Sequence, residues 1–263
     1  MTARGRTTSV LVTTVGAGDR SRRSDRLVVE EPLELRLDGH VVATTMRTPG
    51  HDYELAVGFC FTEGLLAGAP VRTVRYCALG PASETDFNVV EVGSAGAPVP
   101  TPRLGTTTSS CGLCGAASIE TLRERLAPLS GPAPLDAGVL AAVADRVQGS
   151  QQLFAATGSA HAAAAFDPVT GDVSVVREDI GRHNAVDKVV GRLVLDGGLP
   201  ATGRGLFVSG RASFEIVQKA WAAGFGLVAA VSGPSALAVQ TARTANLALV
   251  GFLRRGSMNV YAP

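Results

Sequence analysis

The sequence predicts an α/β fold (α+β overall), in which a small N-terminal α+β unit precedes a C-terminal three-layer α/β sandwich. From about residue 136 onward, strand-like apolar runs alternate with helix-like segments, which is typical of a sheet covered by helices on both faces. Before residue 93, strands of alternating polarity surround one helix. A stretch rich in Gly, Pro, Ser and Thr over residues 93–110 separates the two parts and is typical of a surface loop.

Composition narrows the class of protein. The 263 residues are 46% hydrophobic and 18% charged, enough to build a core. A net charge of +1 argues against binding nucleic acid or anionic membranes through overall charge. We expect a cytoplasmic protein, because no apolar stretch is long enough for a membrane helix and the N-terminus lacks the apolar run of a signal peptide. Lys188 and Lys219 are the only lysines.

The N-terminal part divides into a leader and a folded unit. Residues 1–26 contain six arginines and two aspartates, and we expect them to form a flexible basic leader, with folding starting near Leu27. The N-terminal subdomain is predicted over 27–110. Leucines at every second position of 33–37 predict a strand, and Asp38-Gly39 predicts a tight turn. The further predictions are a return strand over 41–46, a helix from Thr48-Pro49 to about Phe61, and strands near 71–76 and 87–92.

The rest of the chain is predicted to hold a cysteine segment and the sandwich. Residues 111–135 contain the Cys-x-x-Cys segment and a helix over about 116–126. The sandwich spans 136–263, with a largely parallel sheet. Its predicted elements are a helix over 140–147, strands over 161–166 and 173–176, a helix over 184–195, a strand over 206–208, a helix over 214–223, a strand over 227–231, a helix over 235–245 and a strand over 247–252.

The most informative stretch is Cys111-Gly112-Leu113-Cys114-Gly115. A structural zinc site needs four ligands, and Cys60 and Cys77 stand alone in the sequence. A zinc deaminase would need a His-x-Glu motif, which is absent. A redox dithiol and a persulfide-carrying cysteine both remain open, because the spacing does not choose between them. The predicted helix after the pair would favour the thiolate.

Two strand–helix junctions carry the same tripeptide, Val-Ser-Gly, with its serine at Ser209 and at Ser232. These junctions are either compact turns and helix caps or two helix N-termini that point at one crevice and bind phosphate. The carboxyl ends of strands in open α/β sheets are where ligands bind.

Residues 177–188 hold eight polar or charged side chains in an otherwise apolar domain. One interpretation is a solvated helix start. The other is a ligand-facing edge, where Arg182 neutralises phosphate, His183 and Asn184 bond a base or pterin, and His183 pairs with Asp187. Lone histidines such as His161 are more often packed residues.

The segment after the last predicted strand places an aromatic residue and two arginines before a Gly-Ser turn. Phe252 would stack on a ring, and Arg254 and Arg255 would grip phosphate. The alternative is an ordinary basic surface loop.

Together these stretches resemble the FdhD family, the sulfur carrier proteins required for active formate dehydrogenase. The resemblance rests on the stretches Arg47–Leu66, Ser109–Gly115, Arg177–Gly191, Ser209–Gly224 and Pro234–Tyr261. This sequence departs from the family pattern at Ser159, where the family usually has Gly, and at Ala116, where it often has Lys. The second departure removes a positive charge beside the thiols.

The resemblance implies a function and its partners. Family members accept persulfide sulfur from a cysteine desulfurase and pass it to the molybdenum bis-guanine-dinucleotide cofactor, Mo-bis(molybdopterin guanine dinucleotide), for formate dehydrogenase. It also implies a homodimer and a C-terminal domain similar to the cytidine deaminase fold. Cys111 would carry the persulfide and Cys114 would assist.

We therefore expect a sulfurtransferase with a cofactor-binding edge, without a resident metal, that also binds guanine nucleotides as surrogate ligands. The alternatives are a Cys-x-x-Cys dithiol oxidoreductase and a non-catalytic cofactor-binding chaperone. The catalytic candidates are Cys111 and Cys114. The cofactor-binding candidates are Phe252, Leu253, Arg254, Arg255, Gly256, Ser257, Arg182, His183, Ser209, Arg211 and Ser232.

Overall fold

A computed structural model describes residues 5–77, 87–100, 122, 124–254 and 256–263. The N-terminal elements are β1 (Thr7–Val15), β2 (Arg20–Val28), β3 (Glu31–Leu37), β4 (His40–Arg47), α1 (Asp52–Thr62), β5 (Val71–Tyr76) and β6 (Val89–Ser94). The C-terminal elements are α2 (Ala137–Ser150), α3 (Gln152–Thr157), β7 (His161–Phe166), β8 (Val173–Asp179), α4 (Arg182–Leu195), β9 (Gly205–Val208), α5 (Phe214–Ala223), β10 (Leu227–Ala230), α6 (Ala236–Ala245), β11 (Ala248–Arg254) and β12 (Ser257–Ala262).

The N-terminal unit is a four-stranded sheet in the order β4-β3-β6-β5, covered by α1. Leu33, Leu35 and Leu37 are fully buried, which confirms the strand that their alternation predicts. Asp38 and Gly39 both have positive φ, 47° and 85°, as a two-residue hairpin turn requires. The unit therefore folds around the alternating pattern that the sequence displays.

Regular structure begins well before Leu27, contrary to the expected flexible leader. β1 and β2 pair along their whole length from Thr7↔Val28 to Val15↔Arg20. The Thr and Val content of residues 7–15 favours a strand there, despite the arginines nearby. Most side chains of this hairpin are exposed.

The first helix begins later than Thr48-Pro49 predicts. α1 starts at Asp52, preceded by His51 in the left-handed conformation at φ 57°. Thr48 does not cap it, because its hydroxyl accepts a hydrogen bond from the amide of Ile180 in the other unit. A tertiary contact has overridden a local capping pattern.

The C-terminal domain is the predicted three-layer sandwich. Its six strands run in the order β12-β11-β10-β9-β7-β8. On one face, α2 buries Leu140, Val143 and Val147 against alternate strand residues. On the other face, α4, α5 and α6 pack against the residues in between. The expectation of a largely parallel sheet is wrong outside the centre: only β9, β10 and β11 are parallel, while β7, β8 and β12 pair antiparallel.

Two glycines let helices α1 and α4 cross at close range. A Cβ on Gly58 would lie 1.8 Å from the carbonyl oxygen of Asp187, and a Cβ on Gly191 would lie 1.8 Å from that of Glu54. No larger residue fits either position without separating the helices. This crossing joins the two units.

Some elements were missed or lie outside the described residues. α3 and β12 were not predicted, because the first is short and the second has a single fully buried residue. The predicted helix over 116–126 falls on described residues only at its end, where the amide of Leu126 bonds the carbonyl of Leu122. Among the helices of the described residues, none has the length and apolar character needed to span a membrane.

Candidate functional site

One edge of the six-stranded sheet gathers most of the predicted binding residues. The parallel strands β9 and β10 end there, at Val208 and Ala230. β7 runs antiparallel to β9 and so begins there, and its first residue His161 pairs with Asp179, the last residue of β8. This is the carboxyl edge, at which open α/β sheets bind ligands.

A cavity of about 610 Å³ opens at this edge, within the size range of small-molecule sites. Three predicted binding residues, Ser209, Leu253 and Arg254, line it. Its other wall comes from α2 and the α3–β7 segment, which the sequence analysis did not assign to a site. That wall includes Asp145, Gln148, Phe154, Ser159 and His161.

A basic cluster, defined here as His161, Arg182, His183 and Arg211, lies beside the cavity. Gly210 packs between its members: a Cβ there would lie 3.4 Å from Nδ1 of His161 and 3.7 Å from Cδ of Arg182. Burial and the nearby Arg182 lower the pKa of His161 below its usual value, so its imidazole is neutral at neutral pH. The cluster thus combines a neutral imidazole with guanidinium charge.

Arg182 is the residue of the cluster most suited to bind an anion. Its Nε is buried and, among the described residues, has no hydrogen-bond partner. A buried donor without a partner costs free energy unless a ligand or water satisfies it. Burial and, second to it, the neighbouring Arg211 lower the pKa of Arg182, because both make its positive charge less favourable. A bound anion would relieve both costs.

His183 contacts α5 and not Asp187, so the predicted i,i+4 pair is wrong. Its Nε2 lies 3.3 Å from Oγ of Ser213 and 3.7 Å from a carboxylate oxygen of Glu215. The hydrogen bond with His183, working against burial, lowers the pKa of Glu215 to about 2. Asp187 is unavailable because it points into the interface between the units.

The two serines of the repeated Val-Ser-Gly tripeptide lie in loops and not at helix ends. α5 and α6 begin at Phe214 and Ala236, several residues further on. The hydroxyl of Ser209 accepts a hydrogen bond from the amide of Ala162 at 2.9 Å, which ties β7 to β9. The serines therefore do not cap the two helices, and the compact-turn interpretation describes Ser209.

The described residues of the predicted C-terminal binding stretch 252–257 lie at the end of β11, at Gly256 and at the start of β12. The ring of Phe252 covers Gly233, where a Cβ would lie 2.8 Å from its Cζ, while 44% of Phe252 stays exposed. Nη1 of Arg254 donates to the carbonyl of Val231 at 2.7 Å. Leu253 is buried, Ser232, Gly256 and Ser257 lie at the surface of the same edge, and Arg255 is outside the described residues.

The polar segment 177–188 is largely buried, so the prediction of a solvated helix start is wrong. Asn184 does not face a ligand: its Nδ2 donates to the carbonyl of Met46 at 2.7 Å and to Asp179 at 3.0 Å, and its Oδ1 accepts from Thr45. Nζ of Lys188 contacts Asp179 at 2.7 Å, with both side chains fully buried. These residues connect the two units.

Neither Cys111 nor Cys114 lies within the described residues. The two cysteines that do are poor nucleophiles. Burial raises the pKa of Cys60 to about 12, and burial together with the Glu91 carboxylate raises that of Cys77. Within 5–77, 87–100 and 124–254, no cluster of three or more metal-ligating side chains forms.

Comparisons with known proteins agree on one family. The sequence profile of the FdhD/NarQ family matches residues 28–263. The chain is 48% identical over 259 residues to a protein of Mycolicibacterium paratuberculosis named "Sulfur carrier protein FdhD", covering 95% of this chain and 94% of that protein. It is 49% identical over 251 residues to a Streptomyces avermitilis protein of the same name, covering 92% of this chain and 89% of that protein.

A solved structure shares the fold. The crystal structure of a candidate formate dehydrogenase accessory protein from Desulfotalea psychrophila superposes with a TM-score of 0.80, at 22% sequence identity and with 98% of each chain covered. The profile match spans nearly the whole sandwich and the four-stranded sheet, and the relatives match across more than nine-tenths of this chain. The chain therefore belongs to the FdhD/NarQ family.

Proposed function

We propose that this protein is a sulfur carrier that supports formate dehydrogenase. The observation that carries the proposal is its identity of 48% and 49% to two proteins named "Sulfur carrier protein FdhD" over almost their full lengths. The sequence supplies the thiol pair that such chemistry needs, at Cys111 and Cys114. The C-terminal domain supplies an edge suited to an anionic ligand.

Cys111 is the proposed persulfide carrier. Its thiolate attacks the outer sulfur of a persulfide on a cysteine desulfurase, so that a new S–S bond forms on Cys111. The S–S bond of the donor breaks and its cysteine leaves as a thiolate. The exchange therefore needs no external oxidant or reductant. Cys114 assists by relaying or resolving the sulfur, in a cytoplasm that keeps both thiols reduced.

The proposed acceptor is the molybdenum bis-guanine-dinucleotide cofactor, which is the substrate of the transfer. The apolar cavity suits a ring system, and the unpaired Nε of Arg182 beside Arg211 suits phosphate. A guanine nucleotide such as GDP would bind the same edge as a surrogate. The proposal includes formate dehydrogenase and a cysteine desulfurase as partners and a homodimer as the working form.

The test is sulfur loading of the purified protein. Wild type and Cys111→Ala are incubated with a cysteine desulfurase and cysteine, and intact masses are measured before and after reduction. We expect one reducible sulfur atom on the wild type and none on the variant. The matched control is Cys77→Ala, which keeps the Cys111-Cys114 pair and should load like wild type.

Two other outcomes would contradict the proposal. Closure of a Cys111–Cys114 disulfide without sulfur uptake would indicate a dithiol oxidoreductase. Formate dehydrogenase that is fully activated by a variant lacking both cysteines would indicate a chaperone that holds the cofactor without carrying sulfur.

A further inference from the structure

The only two lysines of the chain both connect the C-terminal domain to the N-terminal unit. Lys188 on α4 donates to the carbonyl of Thr48 at 3.0 Å and pairs with Asp179. Lys219 on α5 donates to Oγ1 of Thr62 at 2.9 Å and pairs with Asp187. Both ammonium groups are almost fully buried. Burying a charge is costly, so two such pairs at one interface call for a structural reason.

Asp179 is a convergence point for donors from both units. Its Oδ2 accepts from Nζ of Lys188 at 2.7 Å and from the amide of Thr48 at 3.1 Å. Its Oδ1 accepts from the amide of Gly181 at 2.8 Å and from Nδ2 of Asn184 at 3.0 Å. A carboxylate that accepts from four donors is held in one orientation. The hydroxyl of Thr48 adds a fifth bond, from the amide of Ile180 at 3.1 Å.

These bonds fix the turn from β8 to α4. This turn positions residues at the carboxyl edge of the six-stranded sheet, which is called the ligand edge below. Ile180 lines the cavity, and Arg182 and His183 of the basic cluster follow directly. Resting on the proposed function, we propose that the buried Asp179–Lys188 pair and the Thr48 hydroxyl are positioning groups that hold Arg182 and His183 for the anionic acceptor. None of the three lines the cavity.

Lys219 offers a matched control. It is also a buried, ion-paired lysine at the same interface, but its partners Thr62, Glu63 and Asp187 lie along α1 and the middle of α4, away from the β8–α4 turn. Lys188→Met and Lys219→Met both leave a buried carboxylate without its cation, which destabilises by a similar mechanism. Only the first removes a support of the turn.

The full-length protein is tested in three assays on Lys188→Met, Lys219→Met, Thr48→Val and Thr48→Ser. Hydrogen exchange at residues 180–183 measures how stable the turn is, and GDP titration measures binding at the ligand edge. Sulfur loading measures the reactivity of Cys111. We expect exchange at 180–181 at least tenfold faster, and a Kd for GDP about tenfold higher, in Lys188→Met than in Lys219→Met. Thr48→Val, which keeps the shape of the residue, should show the same pattern, and Thr48→Ser should restore wild-type values.

Equal changes in Lys188→Met and Lys219→Met, or a Thr48→Val variant with wild-type exchange and Kd, would overturn the positioning role. If Lys188→Met fails to fold, the comparison of Thr48→Val with Thr48→Ser alone decides whether these groups have a positioning role. Failure of the proposed function looks different. A wild type that loads no sulfur or binds no GDP contradicts that function, while the exchange rates still decide whether these groups hold the turn.

Discussion

The twelve-residue segment 177–188 contributes both to the interface between the two units and to the ligand edge. Its polar groups differ in hydrogen bonding at these two places. At the interface the polar groups have partners: Asp179 accepts four hydrogen bonds and Lys188 donates to two acceptors. At the edge, Arg182 keeps a buried Nε that no described residue satisfies. Position along the sequence does not separate the two groups, because they alternate over a few residues.

The difference indicates which polar residues serve the fold and which are available to a ligand. A saturated network lowers the free energy of the folded state and has nothing left to offer a ligand. An unsatisfied buried donor is tolerated when binding supplies the missing partner. Variants of interface residues that do not support the β8–α4 turn should therefore change stability and leave ligand affinity alone, while edge variants should do the reverse.

The largest effect is expected where α1 and α4 cross. Gly191→Ala places a Cβ 1.8 Å from a backbone oxygen, so the helices must separate, and we expect a loss of about 4 kcal/mol in the free energy of unfolding. Urea denaturation checks it. Gly149→Ala, in α2 with nothing within 4 Å of the new Cβ, is the control and should lose no stability. Equal stability of the two variants would contradict the close crossing.

A smaller effect is expected at Glu54, which pairs with Arg177 across the interface. Burial opposes ionisation, but hydrogen bonds from Arg177 and His51 prevail and lower the pKa of Glu54 from 4.5 to about 2. A depressed pKa stabilises the fold above the unfolded-state value, and this contribution is lost as the pH falls from 4.5 towards 2. Glu54→Gln should cost about 2 kcal/mol at neutral pH.

The pH profile of that variant provides the check. Thermal unfolding between pH 5 and pH 2 should show a shallower acid loss for Glu54→Gln than for wild type. Parallel profiles for the two proteins would mean that Glu54 titrates normally.

At the ligand edge, a substitution should weaken ligand binding more than it lowers stability. Arg182→Ala removes a donor that the fold leaves unpaired, so we expect unfolding to change by less than about 1 kcal/mol while the Kd for GDP rises about tenfold. Calorimetric titration measures the Kd. A variant that lost several kcal/mol of stability with unchanged affinity would assign Arg182 to the interface and not to the edge.

The smallest effect is expected at an exposed pair on the same helix. Arg192 and Asp196 form an i,i+4 pair in which 46% and 45% of the side chains are exposed. Arg192→Ala should change stability by about 0.3–0.5 kcal/mol and leave GDP binding unchanged. It also serves as the charge-matched control for Arg182→Ala, and weakened GDP binding would show that net charge and not position governs affinity.

Local patterns in the sequence predict most of the secondary structure, but they do not predict which partners its polar groups contact. The alternation at Leu33–Leu37 and the strand–helix order after residue 136 depend on neighbouring residues and were predicted. The partners of the polar segment are remote: Thr48 and Ile180 are 132 positions apart. No local period encodes such a contact, so both the burial of Asn184 and the later start of α1 were missed.

The site was predicted only in part, because some of its residues are brought together by contacts that are remote in the sequence. Ser209 was expected at the carboxyl edge because strand ends gather there. Leu253 and Arg254, which also line the cavity, were expected as part of the C-terminal binding stretch 252–257. His161 was interpreted as a packed residue, since only the antiparallel direction of β7 brings the start of that strand to the same edge. The α2 wall has no pattern that distinguishes it from any amphipathic helix.

The burial of both lysines has a practical consequence for solution work. With Lys188 and Lys219 enclosed, amine-directed reagents should label the folded chain only at its terminal amino group, and lysine crosslinkers would fail to capture its complexes. Each lysine becomes reactive only when the interface opens, so the rate of label uptake, followed by mass spectrometry, measures that opening directly. The chain thus contains two natural reporters of the contact between its units, without any introduced probe.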